Sequence, residues 1–159
     1  MSKRKNNQLP LHVLKKFRVI YGSVRQHFRE IEHSCGVTGS QLWILQAVGN
    51  HPGIAITELS EKLSIHQSTC SQLIDKLVSR NLVDKERSKE DQRRVGLRLT
   101  PHAAKTLKNA PGPAEGLLPE ALQGLPESSL LALDSALLDV IGQLSIRDDR
   151  FAEKHLSDM

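Results

Sequence analysis

The 159-residue sequence predicts a mainly α-helical chain with one small β-hairpin, and three observations carry that prediction. Apolar residues recur at steps of three and four through most of the chain, the pattern of helices with one buried face. Two short stretches, 83–87 and 95–99, alternate instead, and they lie close enough to pair through one loop. Aromatic residues make up only 3%, so the core is aliphatic, which suits helix packed on helix.

A first helix runs over 9–32, with Leu14, Phe17, Tyr21, Val24, Phe28 and Ile31 on one stripe and Pro10 in the tolerant first turn. Cys35-Gly36 ends it. Ser40 is placed to cap a second helix whose apolar positions include Leu42, Ile44, Leu45 and Val48. Asn50-His51-Pro52-Gly53 is a break, after which Thr57 reads as the cap of a short helix over 58–63, with Glu58 in its first turn. A fourth helix over 67–79 places Cys70, Leu73, Ile74, Leu77 and Val78 on one buried stripe. The hairpin follows. Thr100 then caps a helix with Pro101 at its first position, and Asn109-Ala110-Pro111-Gly112-Pro113 interrupts it. The last helix, 127–144, carries Leu130, Leu131, Leu133, Leu137, Leu138, Val140, Ile141 and Leu144. That is more apolar surface than one helix of a small domain hides, which reads as a face between protomers.

The net charge of +4 is unevenly spread. Residues 1–32 hold eight Lys or Arg against two acids, and 58–108 hold eleven against seven, whereas 111–146 hold no Lys or Arg at all. A basic half points to a polyanionic partner; on charge alone nucleic acid and an anionic membrane both remain open. No run approaches the roughly 20 apolar residues a bilayer span needs, and the basic N-terminus is followed by no apolar segment of a secretory signal. Cys35 and Cys70 stand far apart without a CxxC pattern, which fits a reducing cytoplasm. There is no phosphate-binding glycine loop, HExxH or GxSxG, so no enzyme and no cofactor is expected, and the histidines show no metal-ligand spacing.

The outer face of the fourth helix reads Gln67, Ser68, Ser71, Gln72, Asp75, Lys76 and Ser79. Short hydroxyl and amide side chains permit close approach to a duplex, donating to phosphates and reading base edges. The hairpin loop, 88–94, carries Lys89, Arg93 and Arg94, a basic tip suited to a minor groove. In this order the elements predict a winged helix-turn-helix at 35–100, a helical dimerisation region at 9–34 and 101–146, a flexible basic arm at 1–8 and a polar tail at 147–159.

The stretch Leu59–Val83, followed by Asp91-Gln-Arg-Arg-Val-Gly-Leu-Arg-Leu-Thr100, resembles the MarR (multiple antibiotic resistance regulator) family. The resemblance implies a cytoplasmic homodimer on a pseudo-palindromic double-stranded operator, one reading helix per major groove and one wing per minor groove, most often repressing. It places Gln67, Ser68, Thr69, Ser71 and Gln72 on the reading helix, with Lys76 further along its exposed face, Arg93 on the wing arginine and Asp91 on the acid bracing it. Lys89 and Arg94 are phosphate contacts by charge and position. Ala103 stands where the family commonly has Gly, and His66 where Ser or Asp is common, so the reading helix is capped differently or begins a residue later. The Pro111 break interrupts a helix that is commonly continuous. Members often release DNA on binding a small anionic aromatic acid, and Arg18, Tyr21, Arg25 and Trp43 are the expected border of such a pocket. For the two arginines, snorkelling or phosphate contact remains an equal alternative.

Overall fold

The computed structural model describes residues 8–89, 91, 93–113 and 115–159. The expected basic arm therefore lies outside the described residues except for Gln8. Among the described residues seven α-helices flank one antiparallel hairpin: α1 (Gln8–Cys35), α2 (Gly39–Asn50), α3 (Ile56–Leu63), α4 (Gln67–Ser79), β1 (Val83–Arg87), β2 (Val95–Leu99), α5 (Pro101–Lys108), α6 (Leu117–Gln123) and α7 (Glu127–Gly142). Two 3-10 turns, Asp149–Glu153 and Leu156–Asp158, follow.

The core is built around α2, whose Leu42, Ile44, Leu45 and Val48 are fully buried. Against it pack Ile31 of α1, Leu59 of α3, Cys70, Ile74 and Leu77 of α4, Leu97 of β2 and Ala103 of α5. The spacing of Cys70, Ile74 and Leu77 keeps them on one face of α4, as the sequence predicted. Leu73 is only half-buried, and Val78 is 36% exposed because the stripe rotates past α2 near the helix end. Ala103 is fully buried, so its methyl is accommodated in the core.

The hairpin pairs Val83 with Leu99 through Arg87 with Val95. A third short segment joins it: the Gly53 amide donates to Leu97 O at 2.7 Å, and the Leu97 amide to Ile54 O at 2.9 Å. Thr100 caps α5, accepting from the Ala103 amide at 3.2 Å, and its hydroxyl also donates to Asn81 O at 2.8 Å. The end of β2 and the start of α5 are thereby fixed to the turn after α4.

Helix starts differ from expectation in two places. Thr38, not Ser40, caps α2: its Oγ1 accepts from the Gln41 amide while Gln41 Oε1 accepts from the Thr38 amide, a reciprocal box. Ser40 lies inside the first turn, where its hydroxyl donates to Asp158 at 2.9 Å. Helix α3 begins at Ile56, two residues before the expected start, because Glu58 reaches back to accept from the Ala55 amide at 3.3 Å. Thr57 is therefore within the helix, not its cap.

The Pro111-Gly112-Pro113 break holds, and α5 ends at Lys108. Gly112 has φ of +67°, and a Cβ there would lie 2.8 Å from the His27 ring. The buried His27 ring contacts Pro113 O through Nε2 at 3.3 Å, seating the break on α1. The short α6 was not anticipated. Helix α7 ends at Gly142, short of Leu144, and none of its residues is buried.

The polar tail is not free. His155 lies between Phe28 and Trp43, ring centroids 5.3 and 5.1 Å away, and the Ser40 amide donates to Ser157 Oγ at 2.9 Å. Burial holds the His155 imidazole below its ordinary pKa, with Asp158 acting the other way.

Candidate nucleic-acid interface

Helix α4 projects one exposed polar face. Gln67, Ser68, Thr69, Gln72 and Lys76 are exposed and Ser71 is half-buried. Among the described residues none of their side chains makes an internal hydrogen bond, so their donors and acceptors face solvent. The helix opens at Gln67, with His66 at the cap position but giving no side-chain cap bond. The amides of its first turn thus have no side-chain cap, and uncapped amides at a helix N-terminus are suited to receive a phosphate.

The wing is held by its own turn. Asp91 Oδ1 accepts from the Arg93 amide at 2.9 Å, the Arg94 amide donates to Asp91 O at 2.9 Å, and the Ser88 amide to Arg94 O at 2.8 Å. Asp91 therefore braces the backbone on which Arg93 is mounted. Lys89, Arg93 and Arg94 are all exposed. Arg93 forms no ion pair among the described residues, whereas Arg94 pairs with Glu58 of α3 at 2.7 Å. An exposed pair of this kind contributes about 0–1 kcal/mol, so it sets the wing's resting position without withholding Arg94 from a phosphate.

Three positioning contacts carried no sequence signal of their own. Asp75, on the outer face of α4, pairs with Lys85 of β1 at 2.7 Å, tying helix to wing. Arg98 pairs with Glu86 across the strands at 2.7 Å. Arg80, just beyond α4, donates to Gly36 O and to Gln41 Oε1, fixing the end of α4 against the α1–α2 junction.

The four expected effector residues do not share one cavity. Arg18, Tyr21 and Arg25 are exposed on α1, with the Arg25 guanidinium 5.6 Å from the Tyr21 ring centre, a cation over an aromatic face. Trp43 borders a separate hollow of about 300 Å³ under the C-terminal turns, whose wall includes Leu63, Ile65, Pro119 and His155 but none of those three.

Both thiols are quenched by their surroundings. Burial pushes the Cys70 thiol up to about 11 and raises Cys35 as well. Since the thiolate is the reactive form, Cys70 should resist alkylation by iodoacetamide near neutral pH until the chain is denatured. Mass spectrometry of native and unfolded protein checks this; rapid native labelling of Cys70 contradicts it.

A helix pair followed by a hairpin on a shared core defines a winged helix-turn-helix. Residues 36–94 match the model of the MarR family. The chain is 23% identical over 94 residues to the HTH-type transcriptional repressor MdtR of Bacillus subtilis, covering 59% of this chain. It is 29% identical over 83 residues to a protein of Thauera aromatica named as a transcriptional regulatory protein for the hcr operon, covering 52% of this chain. These alignments span 61% and 50% of the relatives' own lengths. In fold it is similar to the transcriptional regulator BldR from Sulfolobus solfataricus, with a TM-score of 0.53 and 20% identity over 91% of this chain and all of the other.

Proposed function

We propose that the chain is a sequence-specific double-stranded DNA-binding transcriptional regulator and not an enzyme. In this reading it acts in the cytoplasm as a homodimeric repressor on a pseudo-palindromic operator. The observation that carries it is the face formed by Gln67, Ser68, Thr69, Ser71 and Gln72, whose side chains make no internal hydrogen bond among the described residues, flanked by a wing presenting Lys89, Arg93 and Arg94. In that reading α4 enters the major groove and Arg93 the adjacent minor groove.

The dimer rests on two uncovered apolar faces. On α1, Leu9, Leu11, Val19, Ile20 and Tyr21 are exposed, and on α7 Leu131, Leu138 and Val140 are. Their charges are complementary, Lys15, Lys16 and Arg18 on α1 against Asp134 and Asp139 on α7. The α1 face of one protomer against α7 of another buries both stripes and pairs the charges. For release, an anionic aromatic ligand fits the Tyr21–Arg25 pair on that same surface better than it fits Trp43.

The test is binding to a mixed-sequence DNA duplex as salt is raised. Affinity should fall steeply through counterion release. Arg93→Ala should lower the slope of log affinity against log salt by about one, the loss of one phosphate-neutralising contact. A slope near zero for the unmodified chain, or no DNA binding, counts against the reading.

A further inference from the structure

The last turns of the chain reach the start of α4 from a firm anchor on α2. At the anchor, Ser40 is 1% exposed; its amide donates to Ser157 Oγ and its hydroxyl to Asp158 Oδ1, both at 2.9 Å. Gly39 beside it leaves the room: a Cβ there would meet Ser157 at 2.9 Å and the Phe28 ring at 2.5 Å. His155 fills the space between Phe28 and Trp43.

From the anchor the chain crosses the α3–α4 turn, where Glu153 Oε2 lies 3.0 Å from Nε2 of His66, the residue that precedes α4. Ser64, also in that turn, holds a left-handed backbone with φ of 52°. A non-glycine residue there needs its surroundings to hold it. The first turn of α4 has no side-chain cap, and a carboxylate beside it favours the positive end of the helix dipole. Between the crossing segment and the turn lies the hollow of about 300 Å³, so the two surfaces meet at a few points and are not packed solidly together. A contact of this kind is strong at one end and loose at the other.

We propose that residues 148–158 form an intramolecular strap that steadies the start of α4, so that docking and lifting of the chain end set how firmly Gln67–Gln72 are presented. Its structural part stands without any DNA; its consequence for binding rests on α4 being the reading helix.

Trp43 is the only tryptophan, so its emission reports the docked strap directly. The full-length double variant Ser157→Ala with Asp158→Ala removes the side-chain anchor, including the 2.8 Å contact of Ser157 Oγ with His155 Nδ1, while leaving the Trp43 and His155 rings themselves unaltered. Its Trp43 emission should shift to the red, and hydrogen exchange at the Cys70 and Ser71 amides should quicken by about tenfold, while the amides of β1 and β2 keep their rates. Asp158→Asn, which retains an acceptor oxygen, should stay close to the unmodified chain in both measures. Unchanged emission overturns the proposal, and so does a red shift with unchanged exchange at Cys70 and Ser71. Binding to a mixed-sequence duplex is measured in parallel, with weaker binding expected for the double variant. If the unmodified chain also fails to bind, the assignment of α4 to DNA falls, while emission and exchange still decide the strap.

Discussion

Replacing Leu131 and Leu138 together by Glu is expected to leave a folded monomer that has lost at least about a hundredfold in operator affinity. Both side chains stand on the outside of α7, at 66% and 62% exposure, and α7 buries none of its residues in the protomer. The substitutions therefore disturb no internal packing, and the melting of the winged region should be preserved. Exposed apolar side chains clustered on one face of a small chain are read as an interaction surface. Two carboxylates placed there would face Asp134 and Asp139 of the same helix and leave buried charge in any pairing that formed. On the proposed reading, losing the dimer would convert a two-site contact into single half-site binding, so the effect on DNA should exceed that of any one contact. Sedimentation with duplex titration checks it, and a variant that stays dimeric refutes the α1–α7 assignment.

Gly96→Ala should destabilise the winged region by about 3 kcal/mol, lowering the melting temperature by on the order of 10 °C. A Cβ at Gly96 would lie 2.8 Å from Gly53 O and 3.1 Å from its Cα, and both are backbone atoms that cannot rotate away. Relief requires the Pro52-Gly53 turn to leave β2. That lengthens the two bonds between Leu97 and the Gly53–Ile54 segment, and exposing or orphaning such buried groups costs about 1–3 kcal/mol each. Leu97, at the centre of these bonds, is fully buried, so the core is pulled with them. Thermal unfolding followed by circular dichroism measures the change. A shift of only a degree or two shows that the turn gives way freely.

Much of this architecture was legible because each element carries its own period. The α4 stripe, the two strands at 83–87 and 95–99, and the Thr100-Pro101 start all depend on neighbours within a few residues. Caps were less legible because a hydroxyl's partner is chosen by the tertiary structure. Ser40 reads as a cap until Asp158, far along the chain, takes its hydroxyl, leaving the role to Thr38. The C-terminal turns have no apolar period, and their placement follows from one imidazole filling a gap between two rings. In the candidate interface, residue types and spacing marked the face of α4, but not that Asp75 is engaged by Lys85 or Arg94 by Glu58. Those pairs join elements whose relative placement the sequence does not print. The separation of Trp43 from Arg18, Tyr21 and Arg25 within the chain was not legible for the same reason: periodicity places a residue on a face, not two faces against one hollow.

Residues 8–23 of α1 are exposed throughout, although they form more than half of a 28-residue helix. A helical stretch of that length with nothing to cover it is marginal in water. In the proposed dimer its order would be borrowed from a second copy, and folding of this arm and association of two chains would become a single equilibrium. Dilution would then melt helix as well as separate protomers, so helical content becomes a function of protein concentration. For a regulator of this kind, the number of copies in the cell would decide how many are structured to bind at all.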